Sequence, residues 1–458
     1  MLRETLLFLL LAATLRAEAK PNIIYVLLDD AGYGDLSCYG QTKFSTPNMD
    51  RLATEGIKFT QHYSGSTVCA PTRSVLMTGM HTGHTPVRGN KEIKPVGQEP
   101  LPADTFTIAE ALKEQGYGTS AFGKWGLGFP GSEGDPIHQG FDRFFGYNCQ
   151  RNAHTYRPTW LFSDLQKIDH DGVTYAHDTI QEAGMEWLRA RTPDQPFFCY
   201  FPILIPHAAM DAPEEVVAPF RKKWPEFEDK VGHYGGTKTT NPVAQFAGMM
   251  TRADQGVGEI LALLKENGLD ENTIVMLSSD NGPHQEGGHQ PKFFDSNGPH
   301  TGFKRSLTEG GVRCPMLVRW PGRIAPGTTT DLISAHWDVF PTLCEIAGAP
   351  IPDNVDGISF LPTLLGKQAE QKKHRYLYWE FSEKGGKRAS RFGKNGRWKA
   401  IQLDLMKTPP GEIKLFDLEN DPAERKNVAE AHPELVGEAA KIFEEAHTPS
   451  EIWKFPFD

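Results

Sequence analysis

Cys69-Ala70-Pro71-Thr72-Arg73 puts a thiol, a helix-opening proline and a guanidinium within one short run. Proline is favoured in the first turn of a helix, where its missing N–H has no partner to lose. With Pro71 opening a helix, the four-residue spacing stacks Arg73 on the face that carries the sulfur. Six cysteines, combined with average proline and arginine usage, give roughly 0.02 chance matches to Cys-x-Pro-x-Arg. Two more groups of reactive type stand far apart in the chain, Asp29-Asp30 and Asp280-Asn281. Brought together, their four oxygen-bearing side chains suit a hard divalent cation such as Ca²⁺ or Mg²⁺. Neither doublet carries paired histidine or cysteine, which speaks against zinc there.

Such groups need a rigid frame. Residues 22–28 form an unbroken β-branched and aliphatic run, the pattern of a central strand buried on both faces, and end at Asp29-Asp30. Further strands are expected at 119–122, 196–204 and 273–278, the last ending in Ser279-Asp280-Asn281-Gly282. Helices are expected over 49–55, 107–115 and 243–266. Alternation of this kind reads as α/β with a mostly parallel sheet. Asp29, Lys124, His207 and Asp280 then all fall at strand C-terminal ends, where open α/β sheets hold their ligands. Beyond residue 367 the texture changes to short strands at 374–381, 388–392, 398–403 and 412–418. A turn at Gly393-Lys394-Asn395-Gly396 and a helix over 433–445 complete a small C-terminal α+β subdomain spanning 368–458.

The chain has 458 residues and a formal net charge of −10 without a long basic run, so a nucleic-acid partner is disfavoured. Arg3, the apolar stretch 6–15 and the small residues Ala17 and Ala19 read as a signal peptide over 1–19. No later segment is apolar enough for a membrane span. The expectation is a secreted or periplasmic protein whose main domain covers 20–367. The cysteines are sparse and irregular, with no Cys-x-x-Cys pair, so neither a disulfide scaffold nor a zinc site is indicated.

The Cys69–Arg73 run, continuing Ser74-Val75-Leu76-Met77-Thr78-Gly79, resembles the maturation signature of the type I sulfatases, members of the alkaline phosphatase-like superfamily. The resemblance extends to Asp29-Asp30, Thr46-Pro47-Asn48, Ser279-Asp280-Asn281-Gly282 and Glu309-Gly310-Gly311-Val312-Arg313. It implies an alkaline phosphatase-like sandwich and a secreted, Ca²⁺-dependent sulfatase. In that family a maturation enzyme oxidises the cysteine to formylglycine, whose hydrate attacks sulfur and later expels sulfate. The implied cation ligands are Asp29, Asp30, Asp280, Asn281 and the formylglycine at Cys69. Arg73 would orient that hydroxyl, Lys124 and Lys304 would contact the sulfate oxygens, and His207 would protonate the leaving alcohol.

One position departs from the family. Where a histidine often follows two residues after the first lysine, this chain has Gly126, which cannot transfer a proton. His81, His84 and His154 are candidate replacements. The cation- and aromatic-rich segment 146–161, with Arg151, His154, Tyr156, Arg157 and Trp160, is expected to be a substrate-facing loop, and Arg88, Asn90, His284 and Asn297 join it as candidate substrate contacts. The substrate reading is a sulfated glycan or a small aromatic sulfate ester. A formylglycine-dependent phosphonate or phosphodiester hydrolase and a weakly active glycan-binding relative are the alternatives.

Overall fold

The computed structural model describes residues 19–458. The expected leader lies outside the described residues, Ala19 excepted. In chain order the first strands are β1 (Asn22–Leu28), β2 (Ile57–Tyr63), β3 (Gly118–Lys124), β4 (Arg143–Tyr147), β5 (Trp160–Ser163), β6 (Gln166–Asp169) and β7 (Phe197–Pro202). A separate hairpin, β8 (Val231–Tyr234) and β9 (Thr237–Thr240), is followed by β10 (Thr273–Ser279), β11 (Arg313–Arg319), β12 (Thr328–Thr330) and β13 (Ser334–Ala335). Among the described residues the main sheet has eleven strands, ordered β12-β2-β11-β10-β1-β7-β3-β4-β5-β6 with β13 also paired to β2.

The centre of the sheet, β10-β1-β7-β3-β4, is parallel throughout. All seven residues of β1 are buried. Ile24, Val26 and Leu28 face the layer of the long helix Pro242–Glu266, while Ile23, Tyr25 and Leu27 face Leu76, Leu112 and Phe340 on the other side. Each such side chain contributes about 1.5–3 kcal/mol on burial, which pins β1 between two helical layers. Because β11 runs antiparallel to both β10 and β2, β2 points the same way as β1 and ends at the same edge. Neither β2 nor β11 carries an expectation in the sequence. In β2 the apolar residues are interrupted by the half-buried Lys58, Thr60 and Gln61, which hides its period.

A second sheet of four antiparallel strands, β14 (Tyr376–Phe381), β15 (Lys387–Phe392), β16 (Trp398–Leu403) and β17 (Ile413–Asp417), lies within two residues of the expected limits. The helix Pro433–Glu445 packs Ala439, Ile442 and Phe443 onto Tyr378, Phe392 and Leu415. Buried ion pairs tie this sheet to the rest: Lys399 to Glu309 at 2.8 Å and Arg88 to Glu380 at 3.0 Å.

Candidate active site

Residues 64–68 lead from β2 into the helix Cys69–Thr78, every residue of which is buried. Cys69 is its first residue, and the Ala70 N–H, unpaired within the helix, donates to Asn90 Oδ1 at 3.0 Å. One turn on, Arg73 sends Nη2 to Asp29 Oδ2 at 3.3 Å and to Asp280 Oδ2 at 3.1 Å, and Nη1 to the Lys124 carbonyl. The two doublets are neighbours because β1 and β10 pair in parallel with Leu28 opposite Ser279. The Asp30 N–H donates to Asp280 Oδ1 at 3.0 Å. Successive side chains of a strand point to opposite faces, yet Asp29 and Asp30 share one cluster. Asp30 has φ 71°, a left-handed turn that aspartate tolerates better than most residues, and this brings both carboxylates to one side.

Lysines close the cluster. Lys124, the last residue of β3, places Nζ 2.6 Å from Asp29 Oδ2, and Lys304 places Nζ 2.7 Å from Asp30 Oδ2. His207 lies beyond β7 with Nε2 3.7 Å from Asp30 Oδ2. Its Nδ1 faces the Ala208 carbonyl, which can only accept, so Nδ1 carries the proton and Nε2 the lone pair. Burial works to raise Asp29 and Asp30, but Lys124 and Lys304 respectively, helped by His207, hold both well below the usual carboxylate range. Burial and then the Asp29 charge push Asp280 up to about 7. Burial, followed by the two lysines, holds His207 well below the ordinary imidazole value. The Cys69 thiol is driven up by burial and by Asp29, which makes it a poor thiolate nucleophile as it stands.

These residues fit a hard cation. Ligand atoms of Asp29, Asp30, Cys69 and Asp280 all lie within 4.8 Å of one another. Asn281 donates Nδ2 to Asp30 Oδ1 at 2.7 Å, while its Oδ1 is buried without a partner among the described residues. An oxygen-rich donor set with an orphaned acceptor, and a carboxyl whose proton affinity is raised by burial and by the Asp29 charge, is the chemistry that Ca²⁺ or Mg²⁺ satisfies.

Above Cys69 opens a cavity of about 530 Å³ whose wall includes Asn90, Arg151, His154, His207 and Lys304. Another cavity, about 350 Å³ between the edge of the main sheet and the C-terminal sheet, holds no comparable set: its Arg391 is engaged with Tyr63 and Gln61, and its His374 with Asp338.

The Sulfatase family model matches residues 21–349, and the model for the C-terminal part of N-sulphoglucosamine sulphohydrolase matches 298–445. The chain is 32% identical to N-acetylgalactosamine-6-O-sulfatase of Bacteroides thetaiotaomicron, over 94% of this chain and 93% of that protein. It is 31% identical to human arylsulfatase A, over 94% and 88%. The crystal structure of Ps i-CgsB superposes with a TM-score of 0.78 at 27% identity, covering 93% of this chain and 92% of that one. This chain belongs to the sulfatase family.

Within this sulfatase, three candidate substrate contacts are spent on structure. Arg88 is buried and donates to Glu380 Oε1 at 3.0 Å and to the Thr448 carbonyl at 2.7 Å, so it docks the C-terminal sheet instead of facing the cavity. His284 sits behind the site with Nε2 3.0 Å from the Pro206 carbonyl, bracing the turn that presents His207. Asn297 folds Nδ2 back onto the His300 and Gly302 carbonyls of its own loop. Arg157 and Tyr156 likewise brace neighbouring segments, through Asp211 and the Leu204 and His207 carbonyls. Of the candidate replacements for the missing histidine, His81 and His84 pair with Asp356, away from the cavity. Only His154 lines it, stacked on His207 with ring centroids 5.5 Å apart and 7° between planes.

What fills the space beside Gly126 is Gln150. A Cβ built on Gly126 would meet Gln150 Cγ at 3.1 Å, and Gln150 Nε2 donates to Asn90 Oδ1 at 3.2 Å. Sequence reading missed Gln150, Arg305 and Tyr234, all on the cavity wall. For Tyr234 a signal existed: Tyr234-Gly235-Gly236-Thr237 is a Gly-Gly hairpin turn between two short alternating runs. Its ring meets His154 and His207 edge-on at 5.1 and 5.8 Å.

Proposed function

We propose that this sulfatase is an exported enzyme cleaving sulfate monoesters of carbohydrates, with a formylglycine made from Cys69 by a maturation enzyme and a Ca²⁺ held by Asp29, Asp30, Asp280 and Asn281. The observation that carries the reading is the convergence of both doublets, Arg73 and Lys124 on a buried, unreactive thiol at a helix start. Once in place, the two groups supply a hydrated aldehyde able to attack sulfur and later release sulfate, and a Lewis acid that lowers the proton affinity of the attacking oxygen.

The side chains do the rest. Lys124 and Lys304 present one ammonium group to each member of the aspartate pair, a clamp suited to a tetrahedral anion. Arg73, fixed by three acceptors, holds Asp29 and Asp280 in register below the nucleophile position. His207 offers Nε2 to the cavity; burial first and then the lysine charges keep the ring neutral, and an anionic ester offsets the lysine part, so the ring can take up a proton and pass it to the leaving oxygen. The cavity and its imidazole–tyrosine wall suit a sugar ring, and the relatedness to a protein named N-acetylgalactosamine-6-O-sulfatase agrees. No helix among the described residues is long and apolar enough to cross a membrane, and the leader-like start of the chain supports export.

Mass spectrometry of the peptide spanning Cys69, from protein made in its native host, tests the nucleophile. Full turnover with only the thiol present overturns the mechanism. Chelation should abolish activity and Ca²⁺ restore it; undiminished activity after complete chelation removes the cation assignment. The phosphonate monoester hydrolase of Agrobacterium radiobacter shares this fold at a TM-score of 0.66 and 22% identity. Parallel rates on sulfate, phosphate and phosphonate esters therefore decide the substrate class, and a faster phosphonate rate sinks the carbohydrate-sulfate reading.

A further inference from the structure

Away from the active site, the edge of the main sheet carries a row of polar side chains in an otherwise apolar layer. Cys314 of β11 stands opposite His62 of β2, and His62 stands opposite Ser334 of β13. His336 follows β13 directly. Cys314, His62 and His336 are all fully buried, and their ligand atoms lie within 4.8 Å of one another. The Cys314 Sγ to His336 Nε2 distance is 3.9 Å, and the two imidazole centroids are 5.2 Å apart.

The hydrogen bonds of this cluster do not close. Ser278 Oγ donates to the Pro315 carbonyl at 2.8 Å and stands 3.0 Å from His336 Nε2. Ser334 Oγ is 2.9 Å from His62 Nδ1. His62 Nε2 and His336 Nδ1 have no partner among the described residues. Sγ of Cys314 stands 3.5 Å from Ser278 Oγ and 3.9 Å from both the His62 carbonyl and His336 Nε2. A buried polar atom left unpaired costs about 1–3 kcal/mol, and His62 Nε2 is such an atom in a cluster with a thiol, so the cluster lacks a component.

Burial keeps both rings neutral, with His62 held well below its ordinary value and His336 down at about 3, the form in which imidazole ligates a metal. A serine on Nδ1 leaves the His62 Nε2 lone pair free, as the outer partners of ligating histidines do. Two nitrogens and a sulfur are the donors of a borderline-soft cation and a poor match for Ca²⁺.

We propose that His62, Cys314 and His336 form a second metal centre, taking Zn²⁺ or a cation of similar softness and separate from the oxygen-donor site at Cys69. Ser278 Oγ stands beside it as a fourth donor. On binding, the Cys314 S–H gives its proton to solvent and the thiolate bonds the metal, while the His336 proton passes from Nε2 to Nδ1 and frees Nε2 as the ligand. The centre would cross-link β2, β11 and the segment after β13, and so steady the strand that delivers the Cys69 helix. It is independent of the sulfatase chemistry.

The test uses the whole protein, with Ca²⁺ in excess to fill the oxygen-donor site, and Zn²⁺ and Co²⁺ as probes. The parent protein should keep one Zn²⁺ per chain through desalting, and Co²⁺ should give a thiolate-to-cobalt charge-transfer band. Cys314→Ser should lose both. Ser334→Ala keeps all three ligands, should retain the band, and should bind Co²⁺ about 10- to 100-fold more weakly. No retained Zn²⁺ and no band in the parent overturn the proposal and leave buried water as the missing component. Equal metal retention by Cys314→Ser also overturns it. Should Cys314→Ser fail to fold, Co²⁺ affinity in Ser334→Ala decides, and an unchanged affinity refutes the centre.

Discussion

Replacing Lys124 by methionine isolates the charge of the proposed anion clamp. The side chain is fully buried with Nζ 2.6 Å from Asp29 Oδ2. Burial opposes the ammonium charge, but Asp29 more than compensates and raises its proton affinity above the usual lysine value. At 2.6 Å and an effective dielectric of about 20, the pair attracts by about 6 kcal/mol before desolvation is subtracted. Methionine keeps the apolar stem, so the loss is electrostatic and not a cavity. Breaking a buried pair typically costs about 3–5 kcal/mol of stability. Arg73 still reaches Asp29 at 3.3 Å, which places the cost at the lower end. In the reaction, loss of one preorganised positive group at the forming sulfate should remove about 2.7–4 kcal/mol, or about 100- to 1000-fold in kcat. Initial rates on p-nitrophenyl sulfate, at saturating Ca²⁺ and well below the melting transition, measure this, with Lys304→Met run in parallel. A folded Lys124→Met enzyme with kcat within about tenfold of the parent, less than ~1.4 kcal/mol, would refute the clamp and leave Lys124 as a mere counter-ion of Asp29.

Other perturbations test the surroundings. Gly126→His should lower the melting temperature, since φ +80° and Gln150 at 3.1 Å impose strain of about 1–3 kcal/mol, and turnover should not rise; a melting temperature equal to the parent's would show that the site accommodates the ring. Burial raises Glu309, but Lys399 and then Arg391 hold it well below the free carboxylate value. This pair therefore stabilises the fold at neutral pH, and the contribution should fade as pH drops below about 4.3. Denaturant midpoints across that range should fall steeply in the parent and less steeply in Lys399→Met, and parallel profiles would rule the pair out as the cause. Tyr234→Ala removes an edge-on ring contact of about 0.5–1.5 kcal/mol from the cavity wall. KM for a sulfated oligosaccharide should rise about 2- to 10-fold with kcat little changed, and an equal rise for p-nitrophenyl sulfate would show that the ring does not read the sugar.

Sequence legibility followed the locality of each signal. The strand at residues 22–28 and the helix at 242–266 are readable because their hydrophobic pattern is continuous and each is buried as a unit. The C-terminal strands are readable because turn residues punctuate them. β2 is opaque because its polar side chains reach partners that are remote in sequence, such as Thr60 Oγ1 to the Thr330 carbonyl at 3.1 Å. The substrate wall was only partly legible. Arg88, His284 and Asn297 have the side-chain types that grip anions and sugars, and the same donors serve equally well to dock a sheet, brace a turn or close a loop.

The linear chain by itself determined the Cys69–Arg73 run, the helix that starts there and the identity of both acidic doublets, since each is a contiguous run. Tertiary structure alone decided that β10 pairs beside β1, so that Asp280 meets the Asp30 N–H. It also decided that Gln150 takes the volume beside Gly126 and that Tyr234 arrives on a distant hairpin. The physical reason is that side-chain chemistry and local backbone preference are written residue by residue. Which donor meets which acceptor depends on strand register and loop packing, and these are set by burial summed over the whole sheet.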